Sequence, residues 1–91
     1  MKVTVKLGSS LRSKAPHFVG GEGTVELAGP GPVRVREVMG ALGIGEEEVN
    51  LIYRNHRLAA STASVVDGDR LGLFPPNFIH FSQFYLKRDE E

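Results

Sequence analysis

The sequence predicts an α+β roll, a mixed sheet of four to five strands with one main helix packed across it. Three observations predict it. Residues 2–7 and 70–74 alternate apolar and polar side chains, the period of two that a half-buried strand requires. Between them, Val35, Val38, Met39 and Leu42 fall at i, i+3, i+4 and i+7, so their side chains share one helical stripe. Glycine and proline cluster at 20–23, 29–32 and 75–76, where the chain must turn or stop.

In chain order, the first strand points Val3, Val5 and Leu7 to one face and Lys2, Thr4 and Lys6 to the other. Residues 8–23 read as irregular apart from one helical turn at Ser9-Ser10-Leu11-Arg12. Thr24 to Leu27 reads as a second strand, paired with the first as a hairpin. Gly29-Pro30-Gly31-Pro32 stops it, because proline withholds a backbone donor and glycine favours turns. The helix follows from about residue 34 to 42, with Gly43 as its C-terminal cap. Gly40 inside it costs ~1 kcal/mol relative to alanine, and close packing on the sheet is the expected compensation. Glu46-Glu47-Glu48 is a short helical turn, Leu51 to Arg54 a strand, Asn55-His56 a turn and Arg57 to Ala59 a short return strand. Asp67-Gly68-Asp69 then turns the chain into a last strand, Arg70 to Phe74, expected to lie parallel beside the first.

The chain divides into a domain at 1–76 and an aromatic-rich tail at 77–91. With Asn77 as N-cap, residues 78–87 would form a helix with Phe78, Phe81, Phe84, Tyr85 and Leu86 on one broad face. A small monomer rarely exposes so many aromatics together. The tail is therefore expected to bury Phe81 and Tyr85, either on the open face of its own sheet or in a homodimer.

Composition narrows the function. Eleven basic residues balance eleven acidic ones, so no net field draws in nucleic acid or an anionic membrane, and neither is expected as a partner. The absence of cysteine excludes disulfides, thiolate catalysis and Cys-ligated zinc. The alternating N-terminus reads as a strand and not a signal peptide, and no apolar run approaches the ~18 residues of a membrane span, so the cytoplasm is the expected location.

No residue set reads as catalytic. His17, His56 and His80 lack metal-ligand spacing. Gly20-Gly21-Glu22-Gly23 precedes a strand, whereas a phosphate cradle needs a helix N-terminus after its glycines. Glu46-Glu47-Glu48 reads as a solvated face, and Ser61, Thr62 and Ser64 have no histidine nearby in sequence. No enzyme activity, cofactor site or metal site is expected.

Three stretches taken together resemble the ThiS/MoaD family of ubiquitin-like, β-grasp sulfur carriers. They are Leu42-Gly43-Ile44-Gly45-Glu46-Glu47-Glu48-Val49, then Ile52-Tyr53-Arg54-Asn55, then Asp67-Gly68-Asp69-Arg70-Leu71-Gly72-Leu73-Phe74-Pro75-Pro76. Leu7 followed by Leu11-Arg12 is similar to the opening of the MoaD branch. Arg34 departs from the pattern, standing where the family has Thr or Ser as helix cap, so that end is expected either to fray or to be capped in another way. In the family the chain ends in Gly-Gly shortly after Phe-Pro-Pro. An adenylating enzyme activates that carboxylate, which then becomes a sulfur-donating thiocarboxylate. Here no glycine follows Gly72. The stretch Gly43 to Ile52 is also similar to glycine-less ubiquitin-like domains fused ahead of nuclease domains, which agrees with recognition over sulfur transfer.

The resemblance thus implies a β-grasp roll and a non-catalytic protein-interaction module. The alternative is a sulfur carrier in molybdopterin or thiamin biosynthesis. The implied partner is a protein, either an adenylating activating enzyme or a cofactor-biosynthesis enzyme, with a homodimer as the other candidate. The positions matching the family's partner-binding patch are Leu7, Leu58 and Phe74, to which the tail adds Phe78, Phe81 and Tyr85.

Overall fold

A computed structural model describes residues 1–76. The helix expected at 78–87, and the contacts expected of Phe78, Phe81 and Tyr85, lie outside the described residues.

The described chain is a β-grasp roll. Strands β1 (Lys2–Leu7), β2 (Glu22–Glu26), β4 (Leu51–Arg54), β5 (Arg57–Leu58) and β7 (Arg70–Phe74) form one mixed sheet in the order β2-β1-β7-β4-β5. β1 and β7 run parallel, with Val5 opposite Leu71 and Leu7 opposite Leu73. The remaining pairs of that sheet are antiparallel. Alternation sends Val3, Val5, Leu7, Leu71 and Leu73 to one face, where none is more than 2% exposed. Val35, Val38 and Met39 of helix α1 (Val35–Ala41) join them in one core cluster and are fully buried. Burying side chains of this size contributes about 1.5–3 kcal/mol each, so this strip and this stripe hold the roll together.

The stretch at 8–23 is more ordered than its glycines suggested. A 3-10 helix at Ser9–Lys14 buries Leu11, and Ala15 follows into the core. Gly20 and Gly21 take φ of 64° and 80°, so they form the hairpin turn, and the Leu7 amide donates to the Gly21 carbonyl at 2.7 Å. β2 therefore begins at Glu22, two residues before the expected Thr24, and ends before Leu27. Gly23 does not break the strand because the Phe18 ring lies where its side chain would be.

Two short strands were not anticipated. β3 (Val33–Arg34) pairs with β6 (Ser64–Val65) as a separate antiparallel ribbon, too short to show a period in sequence. This ribbon answers the missing helix cap. The Val35 and Arg36 amides donate to the Ala63 and Ser61 carbonyls at 3.0 and 2.9 Å, and the Glu37 carboxylate accepts the Arg34 amide at 2.7 Å. Arg34 has no acceptor in its side chain; its guanidinium instead donates to the Thr62 carbonyl at 2.8 Å. The first-turn donors that a Thr or Ser would share in satisfying are met by backbone from the 61–63 loop.

The other end of α1 follows expectation. Gly43 has φ of 73°, its amide donates to the Gly40 carbonyl, and the Ile44 amide donates to Met39, the bond pattern of a Schellman stop. Ile44 is buried directly after it. Gly40 is a correction: it is exposed, and a Cβ there would meet no atom within 4 Å, so close packing does not explain it.

Candidate functional site

The face of the sheet away from the core is assembled by register alone. Paired residues share a face, so Glu26 lies beside Lys2, Thr24 beside Thr4, and Glu22 beside Lys6. Thr4 then neighbours Arg70, and Lys6 neighbours Gly72. Beyond Gly72 the chemistry changes: Phe74 stands opposite Leu51, Tyr53 opposite Gly72, and Leu58 opposite Tyr53. One half of the open face is charged and the other apolar.

In the charged half Arg70 reaches across β1 and pairs with Glu22 at 3.1 Å, both side chains partly exposed. Exposed pairs of this kind are worth about 0–1 kcal/mol, so they shape the surface potential more than the stability. In the apolar half the rings of Tyr53 and Phe74 meet edge to face, with centroids 5.8 Å apart and planes at 80°. The Phe74 ring also covers two glycines. A Cβ on Gly72 would stand 3.2 Å from Phe74 Cε2, and one on Gly8 would overlap Phe74 Cδ1. Leu58, on the two-residue edge strand β5, is 67% exposed.

The turn carrying β5 is anchored from β7. Asn55 and His56 have φ of 51° and 70°, the left-handed pair a tight hairpin needs. Asn55 exchanges both of its polar groups with the start of β7: its Oδ1 accepts the Arg70 amide at 2.9 Å, and its Nδ2 donates to Asp69 at 3.0 Å. Asp69 is nearly buried, and its other oxygen accepts the Val66 amide at 2.9 Å. Burial pushes the Asp69 carboxyl up, but the Asn55 and Val66 hydrogen bonds and the Arg54 charge outweigh it and hold the group below its ordinary value. Glu48 is also lowered, by the Gly45 amide and then by Lys14, which it meets at 3.1 Å.

The residues singled out from sequence separate here. Leu58 and Phe74 lie on the open face, with β4 between them. Leu7 does not join them: it is fully buried opposite Leu73, because its strand alternates and Lys6 takes the outward position. It offers a partner no surface. Sequence reasoning missed Tyr53 and Leu51, which join Leu58 to Phe74. They sit in the continuous apolar run Leu51-Ile52-Tyr53, where Ile52 goes to the core; such a run does not reveal which members face outward. The clue available was that a strand apolar on both faces has something covering each.

The arrangement presents an apolar patch beside a charged one. Among the described residues, no group of three or more His, Cys, Asp or Glu side chains could hold a metal ion. No described helix is long and apolar enough to cross a membrane.

No model of a known protein family matches the chain, and no curated protein matches it. Solved structures do. A candidate molybdopterin converting factor, subunit 1, from Pyrococcus furiosus is 30% identical, with 82% of this chain and 97% of that one covered and a TM-score of 0.59. Small archaeal modifier protein 1 of Haloferax volcanii is 22% identical over 81% of this chain and 95% of its own, with a TM-score of 0.60. Subunit 1 of the Helicobacter pylori molybdopterin-converting factor, solved in complex with subunit 2, is 20% identical over 84% of this chain and 95% of its own, with a TM-score of 0.54. The last two similarities concern the fold.

Proposed function

Because the chain belongs to the ThiS/MoaD-like ubiquitin-like β-grasp family, we propose that it is a cytoplasmic, non-catalytic interaction module that binds a protein partner through the open face of its sheet. The observation that carries this is the apolar half of that face, Leu51, Tyr53, Leu58 and Phe74, with Leu58 67% exposed. An aromatic pair flanked by an exposed leucine and rimmed by charge has the composition of an interface centre. The partner we infer is an enzyme of the second-subunit type that accompanies the Helicobacter pylori protein, or an adenylating activating enzyme.

A sulfur-carrier role is the second reading, favoured by the 30% identity to the Pyrococcus furiosus protein. Against it stands the sequence after Phe74-Pro75-Pro76, which continues Asn77-Phe78-Ile79 and has no glycine through residue 91. Paired glycines give an extended, side-chain-free segment able to thread a narrow active site, and bulky residues at 77–79 do not.

Isothermal titration against both candidate enzymes from the same organism tests the interaction reading. Wild type should bind one of them, and Leu58→Asp should weaken that binding at least roughly tenfold by placing a charge in a desolvated contact. Unchanged binding of Leu58→Asp refutes this face. Mass spectrometry after incubation with ATP, the adenylating enzyme and a sulfur source separates the two readings: a gain of one sulfur establishes the carrier.

A further inference from the structure

We propose that residues 77–91 dock in cis on the apolar half of the open face, so that the tail and the partner compete for one surface. The tail leaves from the right place. β7 ends at Phe74, whose ring already lies on that face, and Pro75 is buried directly after it. The distance is short: β7 and β5 are two strand spacings apart, about 10 Å. Leu58 is level with Gly72, so it also lies about 10 Å back along the strand, roughly 14 Å away in all; about five extended residues span that, so Phe81 and the aromatics after it can reach any part of the patch.

The chemistry also corresponds. Residues 77–86 include Phe78, Phe81, Phe84, Tyr85 and Leu86 and no Asp, Glu, Lys or Arg; charge returns only at Lys87. The uncharged stretch meets the uncharged half of the face, Leu51, Tyr53, Gly72, Phe74 and Leu58. Gly72 adds no side chain of its own, and the Phe74 ring and Tyr53 close over it, so the surface offered there is aromatic and continuous from β7 to β4. A segment tethered beside its site has an effective concentration in the millimolar range, so even weak contacts keep it seated. A partner then sees only the fraction of molecules with the tail displaced, and its apparent affinity falls by that fraction. This consequence rests on the proposed function; the docking itself does not.

The test uses the full chain and no partner, so its failure is distinct from failure of the partner reading. The protein has no cysteine, so Ser82→Cys gives a unique site for a nitroxide label. In a 15N spectrum, the amide signals of Tyr53, Leu58 and Gly72 should lose most of their intensity while those of Gly40 and Glu47 keep theirs. The loss should persist on dilution with unlabelled protein. Gln83→Cys repeats the measurement from the next position. As a second readout without a label, Phe81→Ser with Tyr85→Ser should shift the same amides. Broadening confined to Asn50 and Phe74, beside the exit point, overturns the proposal. So does broadening of the face in 15N chains mixed with spin-labelled 14N chains, which would make a second copy the occupant.

Discussion

The ring of Phe74 lies against Gly8, at the point where β1 ends and the Gly8 amide donates to the Leu73 carbonyl at 3.0 Å. Gly8 has φ of −93° and ψ of 149°, a conformation open to any residue, so this glycine is required for space and not for backbone freedom. Gly8→Ala should therefore cost about 1–3 kcal/mol by displacing the ring, and Phe74→Leu in the same chain should recover part of it. Urea titrations of the two single variants and the double variant measure the coupling. Additive effects would mean that the glycine and the ring are independent.

Gly40 predicts the opposite sign. It is exposed, helical and free of neighbours, so Gly40→Ala should stabilise the domain by about 0.5–1 kcal/mol through helix propensity alone. A rise in the thermal midpoint of a few degrees checks it. A loss of stability would show that helix propensity does not govern this position.

Leu71 lies on β7, the middle strand of the five, and is 2% exposed. Leu71→Ala should cost about 2–4 kcal/mol through lost burial and a cavity, while Glu47→Ala, on an exposed turn, should stay within about 0.5 kcal/mol. Chemical denaturation of both variants checks the contrast, and equal small effects would remove β7 from the centre of the fold.

Asp69 makes stability depend on acid. Its carboxyl is held below its ordinary value in the folded state, so the unfolded chain takes up the proton first as pH falls. The contribution is complete above the unfolded value of about 4 and is lost as pH drops through the lower folded value. Asp69→Asn leaves either the Asn55 amide or the Val66 N–H without an acceptor, at a cost of about 1–3 kcal/mol near neutral pH. The variant should also lose part of the slope of stability against pH below about 4. Stability curves of both proteins from pH 2 to 7, run at roughly half-unit steps, measure it; parallel curves would remove Asp69 from the acid response.

Leu58 should be neutral for folding and decisive for binding. At 67% exposure it packs little against the rest of the domain, so Leu58→Asp should alter stability by no more than about 0.5 kcal/mol apart from what the docked tail contributes. Circular dichroism melts run beside the binding titration separate a lost contact from a lost fold.

Much of this molecule was written along the chain. The alternation at 2–7 and 70–74, the stripe Val35-Val38-Met39 and the stop at Gly43 are local patterns with one physical solution each, and the structure contains them in that form. The Asn55-His56 turn was equally legible, because few residues accept two positive φ angles in succession.

Other features depended on the sheet being assembled. Alternation along each strand groups Leu7 with Val3 and Val5 and groups Phe74 with Arg70 and Gly72, but only the pairing of β1 with β7 sets Leu7 opposite Leu73 in the core and Phe74 over Gly8 on the open face. The cap of α1 could not be read at Arg34, because its acceptors come from Ser61 and Ala63, almost thirty residues away. The same is true of the apolar patch: Leu51, Tyr53, Leu58 and Phe74 come from three strands, and only their pairing puts them on one side. Periodicity decides which way a side chain points relative to its own strand; which strand stands beside it, and hence what surface results, is decided by long-range packing that no local pattern encodes.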